Sequence, residues 1–277
     1  NVITVDVSGA FSVNGDPTPA TAYETGDVFV VDPQTGAKTL LGSTQYQAYS
    51  APLVAQHYAI GYRHVAGAAI MPVNPDTVIQ SDWNAVADSA HDIDIPVGTY
   101  TASLLLNGNP FPATVYESGT MFLQPIAGGE ATLLGSTAYG LVDRKVLPGT
   151  YVPAYRHDAG GSIAPRNEYA IVGGKTAVAA DSGGLIMPDE IDVSSVDIAR
   201  NLSLNGGVFP GTGNAVFSLR HRQSYGDDNV FWGESSNGAL STPVIAGRYE
   251  VMYQYDSGTS IPKNSNQRLA CWNISSP

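Results

Sequence analysis

The stretch Thr39-Leu40-Leu41-Gly42-Ser43-Thr44 occurs a second time, residue for residue, as Thr132-Leu133-Leu134-Gly135-Ser136-Thr137. The offset is 93 residues, and it holds far beyond these six positions. Residues 14–74 lie on residues 107–167 without a gap, with 27 identities in 61 pairs. The shared landmarks are Asn14-Gly15 with Asn107-Gly108, Tyr23-Glu24 with Tyr116-Glu117, Phe29 with Phe122, and Tyr62-Arg63-His64 with Tyr155-Arg156-His157. Pro72 and Asn74 match Pro165 and Asn167. A third, more divergent copy opens at Asn205-Gly206, carries Phe217 and Trp232-Gly233, and closes on Pro262 and Asn264. In all three copies the first tyrosine of the late strand follows the glycine by 16 residues: 42 to 58, 135 to 151, 233 to 249. An internal period governs the fold reading before anything else. A period of 93 to 98 residues is too long for a solenoid turn and suits a small domain with its own core.

Within each copy the pattern is that of strands and turns. Val28-Phe29-Val30-Val31, Met121-Phe122-Leu123 and Ala215-Val216-Phe217-Ser218-Leu219 are short apolar or alternating runs. Asn14-Gly15, Asp32-Pro33-Gln34-Thr35-Gly36, Ala127-Gly128-Gly129 and Pro148-Gly149 punctuate them as turns. No segment holds a helical period between caps. In the late strand Tyr58, Ile60, Tyr62 and His64 share one face, and Ala59, Gly61 and Arg63 the other. Pro153 stands on the first face in the second copy. A proline lacks the ladder donor, so this strand is expected at the border of a sheet.

The 277 residues carry 13 Lys+Arg against 25 Asp+Glu, a net charge of -12. That sign disfavours a phosphate backbone or an anionic membrane as partner. No apolar run approaches the ~20 residues a membrane span needs. Charged residues are only 14% of the chain, while Gly, Pro and Tyr are plentiful. With a first residue Asn1, not Met, this balance gives the expectation of a mature secreted or cell-surface protein. The single cysteine, Cys271, can form no intrachain disulfide and is expected as a small buried residue beside Trp272. Asn201 and Asn273 each head a glycosylation triplet.

Pro148-Gly149-Thr150-Tyr151 before an alternating strand, with an Asn-Gly turn far upstream, resembles the prealbumin-like sandwich of carboxypeptidase regulatory domains and pilin B-type repeats. Ala246-Gly247-Arg248-Tyr249 is a looser form, and Ala55-Gln56-His57-Tyr58 keeps only the tyrosine. The resemblance covers each copy once and implies a bacterial extracellular β-sandwich without enzyme activity. Members that join Lys to Asn covalently need a lysine in register. Lys38, Lys145, Lys175 and Lys263 are not, so that bond is not carried over. The fold expected is all-β: three tandem Ig-like or prealbumin-like β-sandwich domains, at 1–88, 89–187 and 188–277.

The ends of the chain raise a question of phase. Ile93 of Asp92-Ile93-Asp94-Ile95 lies 14 residues before Asn107, and Ile191 of Glu190-Ile191-Asp192-Val193 lies 14 before Asn205. Taken as first strands of copies two and three, these segments leave copy one short of a strand, since its equivalent would precede Asn1. Either Thr4-Val5-Asp6-Val7 supplies that strand, or the chain is a fragment of a longer array, or a neighbouring molecule completes the edge by strand addition. The last arrangement would make a head-to-tail polymer, with Val2, Ile3, Val5 and Val7 as the candidate exchange segment.

Two readings apply to Tyr62, Arg63, His64 and their counterparts Tyr155, Arg156, His157. They form a ligand patch for a glycan, or a structural face whose Tyr and His pack inward. The third copy has Gln254 and Tyr255 in place of Arg and His. No HExxH, GxSxG, P-loop or dinucleotide fingerprint occurs. Asp92/Asp94 and Glu190/Asp192 sit on one strand face each, which suits solvated acidic edges better than a catalytic pair. Asp227-Asp228-Asn229 is a conceivable but weak calcium ligand set. The expected role is therefore non-enzymatic and cofactor-free: a surface or matrix component or self-assembling filament subunit. Copies of itself or matrix components are the expected partners, and neither nucleic acid nor a membrane span is expected. The alternative is a carbohydrate-binding or adhesive module, with Trp83, Trp232 and Trp272 as platforms.

Overall fold

Each Asn-Gly pair makes a tight turn that only such residues take without strain. Asn14, Asn107 and Asn205 have φ of 48°, 52° and 52°, and the glycines after them 86°, 73° and 80°. Both central residues are left-handed, as a two-residue hairpin of the I′ kind requires. In the computed structural model, which describes residues 2–181, 189–223 and 228–275, the chain is nearly all strand. The helical elements among those residues are single 3-10 turns at Thr44–Tyr46, Thr137–Tyr139 and Ser235–Asn237. The boundary expected between 187 and 188 falls outside the described residues, as does Asp227.

In the first repeat, strands Lys38–Ser43, Thr25–Val31, Gln56–Ala66 and Thr77–Ala85 form one sheet in that order. A second sheet centres on Thr4–Val13, flanked by Ala48–Val54 on one side. The two inner faces meet in a core containing Val5, Val7, Phe11, Val28, Val30, Leu41, Ile60 and Tyr62. The alternation of the late strand is therefore real: Tyr58, Ile60 and Tyr62 are buried and Arg63 is exposed. Two further apolar clusters follow along the chain, around Leu104, Met121 and Tyr155, and around Phe217, Trp232 and Tyr253. The architecture is an all-β sandwich.

The Ile-Asp-Ile segments do not open the repeat that follows them. Ile93–Ile95 runs parallel to Thr4–Val13, pairing Phe11 with Ile93 and Val13 with Ile95. Asp189–Val193 runs parallel to Gly98–Leu106, pairing Leu104 with Ile191 and Leu106 with Val193. Ile93, Ile95, Ile191 and Val193 are each no more than 3% exposed. These segments close the sheets of repeats one and two. The first repeat lacks no strand, because Thr4–Val13 is the counterpart of Gly98–Leu106, not of the Ile-Asp-Ile segment. Sequence spacing could not separate the two phases, since a strand 14 residues before a turn can pair forward or backward.

Pro153 has a different consequence from the one expected. Its strand, Gly149–Ala159, is flanked on both sides, by Ser118–Pro125 and by two short strands. The flanking strand is continuous as Thr77–Ala85 in repeat one and as Gln267–Ile274 in repeat three. In repeat two it is broken into Ala170–Ile171 and Thr176–Val178. Pro153 offers no N–H to that neighbour, so the ladder parts beside it. Cys271 is exposed, not buried, because it alternates with Trp272 on Gln267–Ile274.

If Ile93–Ile95 closes the first core, Ile95→Ala in the full chain should cost about 2–5 kcal/mol in urea unfolding of the first repeat. A loss within measurement error would show that the strand lies loosely on the sheet.

Candidate functional site

The Tyr-Arg-His residues do not form one surface. Tyr62 is buried and its hydroxyl donates to the Pro72 carbonyl at 2.9 Å; Tyr155 does the same to Pro165 at 3.0 Å. Burial, with nearby carboxylates second, pushes both phenols far above their usual range. Arg63 points the other way. Its Nη2 lies 2.6 Å from Asp27, and Asp76 sits beyond at 3.8 Å. Arg156 stacks over Phe122 at 5.1 Å and faces Asp158 at 3.5 Å. His64 contacts the Gly67 carbonyl through Nε2. Burial, then the Arg166 charge, lowers the His157 pKa. The same tyrosine bond recurs from Tyr253 to Pro262 where Arg and His are absent. The conserved chemistry of this strand is thus a hydroxyl tying down the loop that follows it.

The residues that the repeat brings together most consistently are two others. Glu24 accepts backbone N–H bonds from Ala68, Ala69, Ile70 and Met71 at 3.0–3.2 Å. Glu117 accepts from Gly161, Ser162, Ile163 and Ala164 over the same range. Partial burial alone would raise each carboxyl; the four donors outweigh it and hold Glu117 at about 2, with Glu24 also lowered. Each glutamate fixes the loop that leads to Pro72-Val73-Asn74 or Pro165-Arg166-Asn167.

Those loops end in asparagines that are buried in the next repeat. Asn74 is 1% exposed; its Nδ2 donates to Thr132 Oγ1 at 3.0 Å and to the Tyr151 hydroxyl at 3.3 Å. Its Oδ1 accepts from the Leu147 N–H at 2.6 Å. Asn167 is 0% exposed and repeats the pattern with Asp228, the Tyr249 hydroxyl at 2.9 Å and the Ile245 N–H at 2.8 Å. Backbone bonds flank both plugs, from Val73 to Lys145 and from Arg166 to Pro243. A buried side-chain amide is tolerated only when its donors and acceptor are met, and here they are. Both asparagines and both glutamates are identities of the repeat alignment. They served there as landmarks only, because one sequence does not show that a loop residue reaches a neighbouring unit.

The acidic strand residues Asp92, Asp94, Glu190 and Asp192 are exposed, and three of them also accept hydrogen bonds. Asp94 accepts from Ser12 Oγ at 2.7 Å and the Gly15 N–H at 2.9 Å, and Asp92 from the Ala10 N–H at 2.8 Å. Asp192 accepts from the Gly108 N–H at 3.0 Å. Of the tryptophans, Trp83 and Trp232 are buried, and Trp272 is half-buried at right angles to Trp232. The prominent exposed aromatics are instead Tyr23, Tyr116, Tyr46 and Tyr139. Val2 and Ile3 are exposed, whereas Val5 and Val7 lie in the first core and would have to leave it to be exchanged. Among the described residues no group of three or more His, Cys, Asp or Glu is placed to hold a metal ion. No helix of the described residues is long and apolar enough to cross a membrane.

No protein-family model matches the chain, and neither does any curated protein. Solved structures with some similarity include a leucine-rich repeat protein from Bacteroides thetaiotaomicron, at 15% identity and TM-score 0.24, covering 69% of this chain and 26% of that one. The Bacillus anthracis TIE protein is similar at 12% identity and TM-score 0.24, covering 99% and 49%. A streptococcal ancillary pilin is similar at 9% identity and TM-score 0.32, covering 99% and 96%. The chain thus spans about a quarter and about half of the first two.

Glu117 gives a pH test. Its folded pKa, about 2, lies below its ordinary 4.5, so its contribution is present above the ordinary value and is lost as pH falls toward 2. Glu117→Gln should cost about 1–3 kcal/mol at pH 7. It should also flatten the acid limb of stability between about pH 4.5 and about pH 2. An acid limb with unchanged slope would show that the carboxylate carries no linkage.

Proposed function

We propose that this chain is a stiff, non-catalytic structural segment of an extracellular or cell-surface protein, made of three tandem sandwich domains. The observation that carries this reading is the asparagine plug, made twice with the same geometry at successive junctions. Each plug couples a loop fixed by a glutamate to the wall of the next repeat. The linkers support the same role: only Pro96 and Val97 separate Ile93–Ile95 from Gly98–Leu106. A connection so short, flanked by strands on both sides, leaves little room for hinge motion. Low charge density and a repeated, turn-rich core suit a role in which the fold itself is the product. Trp83 and Trp232 lie in the cores and not on a binding face, so a carbohydrate module is the weaker reading.

Self-association is the finer form of this proposal. Asn264 is the third-repeat counterpart of Asn74 and Asn167, and its side chain is exposed. At the first repeat, Thr39 and Tyr58 stand where Thr132 and Tyr151 receive a plug, and Thr39 is exposed whereas Thr132 is 0% exposed. A head-to-tail contact between copies would seat Asn264 of one copy against Thr39 and Tyr58 of the next.

Solution scattering and sedimentation test the two levels together. The unsubstituted chain should fit a single extended shape, and Asn74→Ala with Asn167→Ala should broaden it to a flexible ensemble. Equal flexibility in both would refute stiffness by plugging. Association that grows with concentration and is lost in Asn264→Ala would support the head-to-tail contact; a monomer at every concentration would remove it.

A further inference from the structure

The turns Asn14-Gly15 and Asn107-Gly108 each contain both reactants of a chemical step. In an Asn-Gly pair the glycine nitrogen can attack the asparagine Cγ, because the glycine has no side chain to hinder the approach. The N–Cγ bond forms, the Cγ–Nδ2 bond breaks, and Nδ2 leaves as ammonia with the proton from the glycine nitrogen. The product is a five-membered succinimide. Water then opens it at either carbonyl, to aspartate or to isoaspartate. No oxidant and no other co-reactant is needed.

The closing strands engage both reacting groups. In repeat one the Gly15 N–H donates to Asp94 Oδ1 at 2.9 Å. Asn14 Nδ2 donates to the Val97 carbonyl at 2.9 Å, and its Oδ1 accepts from the Val97 N–H at 2.8 Å. In repeat two the Gly108 N–H donates to Asp192 at 3.0 Å, and Asn107 holds the Ser195 carbonyl and N–H at 3.0 and 2.8 Å. The glycine nitrogen must lose its proton to attack, and a carboxylate on that N–H opposes the negative charge. Bonds at both ends of the asparagine amide pin its plane to the entering chain, so Cγ cannot turn onto the nitrogen. Asp94 and Val97 are three residues apart and reach or leave the turn together. Nothing else stands in the way. A Cβ at Gly15 or Gly108 would meet no atom within 4 Å, and Asn14 and Asn107 are exposed to the water that completes the reaction.

We propose that Asn14 and Asn107 are self-modification sites, closed to succinimide formation while Ile93–Ile95 and Asp189–Val193 are seated and open to it when the strand lifts. The product bars the strand from returning. Conversion of Asn14 to aspartate sets a carboxylate oxygen where Nδ2 met the Val97 carbonyl, so two acceptors face each other beside a residue only 1% exposed. Isoaspartate instead adds a backbone carbon to a two-residue turn whose geometry fixes the hairpin. Either product brings a further negative charge to a turn that already binds Asp94 or Asp192. A transient opening becomes a lasting one, and each repeat keeps its own record. This inference does not depend on the stiff-segment role.

The test is incubation of the full chain at mildly alkaline pH, with deamidated and isoaspartyl peptides quantified by mass spectrometry after digestion. Asn14 and Asn107 should react at least about tenfold more slowly in the folded chain than in the same chain in urea, because reaction waits on local opening. Ile95→Ala loosens the first closing strand alone. It should speed reaction at Asn14 about tenfold and leave Asn107 unchanged. Asp94→Ala, which keeps both isoleucines, should also speed Asn14 and not Asn107. Asn14→Asp should lower the urea midpoint of the first repeat. Equal rates in the folded chain and in urea, acceleration of both sites alike or of neither by the two variants, or an unchanged midpoint in Asn14→Asp would each overturn the proposal.

Discussion

A three-residue strand laid parallel on the edge of a sheet completes the first core of this chain. Ile93 and Ile95 fill the first core, and Asp94 between them bonds to a serine and to the turn that ends the neighbouring strand. A related arrangement closes the second repeat through Ile191, Asp192 and Val193, where Asp192 bonds to the turn glycine and Leu105 replaces the serine. Neither half suffices alone. Two aliphatic side chains could slip along an apolar trough, and a carboxylate on an exposed edge adds little. Together they fix register, since a one-residue slip would turn the aspartate inward.

From that lock the remaining geometry follows. The closing strand of one repeat runs directly into the first strand of the next, so the junction has almost no free linker. The Tyr62 and Tyr155 hydroxyls and the Glu24 and Glu117 carboxylates then hold the loop on the opposite strand connection. That loop delivers an asparagine whose three polar contacts all lie in the next repeat. Position is thus transmitted by satisfied buried hydrogen bonds rather than by a large apolar interface. Such bonds are directional and penalise displacement.

Much of this was legible in the sequence, for physical reasons that differ by element. The Asn-Gly turns and the period-two tyrosine strand are local, and local chemistry determines them. The repeat was legible because identities at fixed spacing need no structural knowledge. Phase was not, because the Ile-Asp-Ile segment pairs with a strand about 82 residues earlier, and nothing local selects that partner over the nearer one. Pro153 illustrates an intermediate case. Its missing donor points to a sheet border, yet the strand is paired on both sides, and the neighbour is split beside the proline instead. In the Tyr-Arg-His triplet the alternation that parts Tyr62 and His64 from Arg63 is legible, but the carbonyl that each tyrosine hydroxyl meets lies in a loop ten residues on, which alternation does not reveal.

The division of the chain by its closing strand is tested most directly by comparing two fragments, residues 1–88 and residues 1–97. The account predicts that the longer fragment unfolds cooperatively in urea with dispersed amide resonances, while the shorter one, lacking Ile93 and Ile95, shows a broad, weakened transition. Equal stability of the two would contradict it, because the strand would then belong to the repeat that follows.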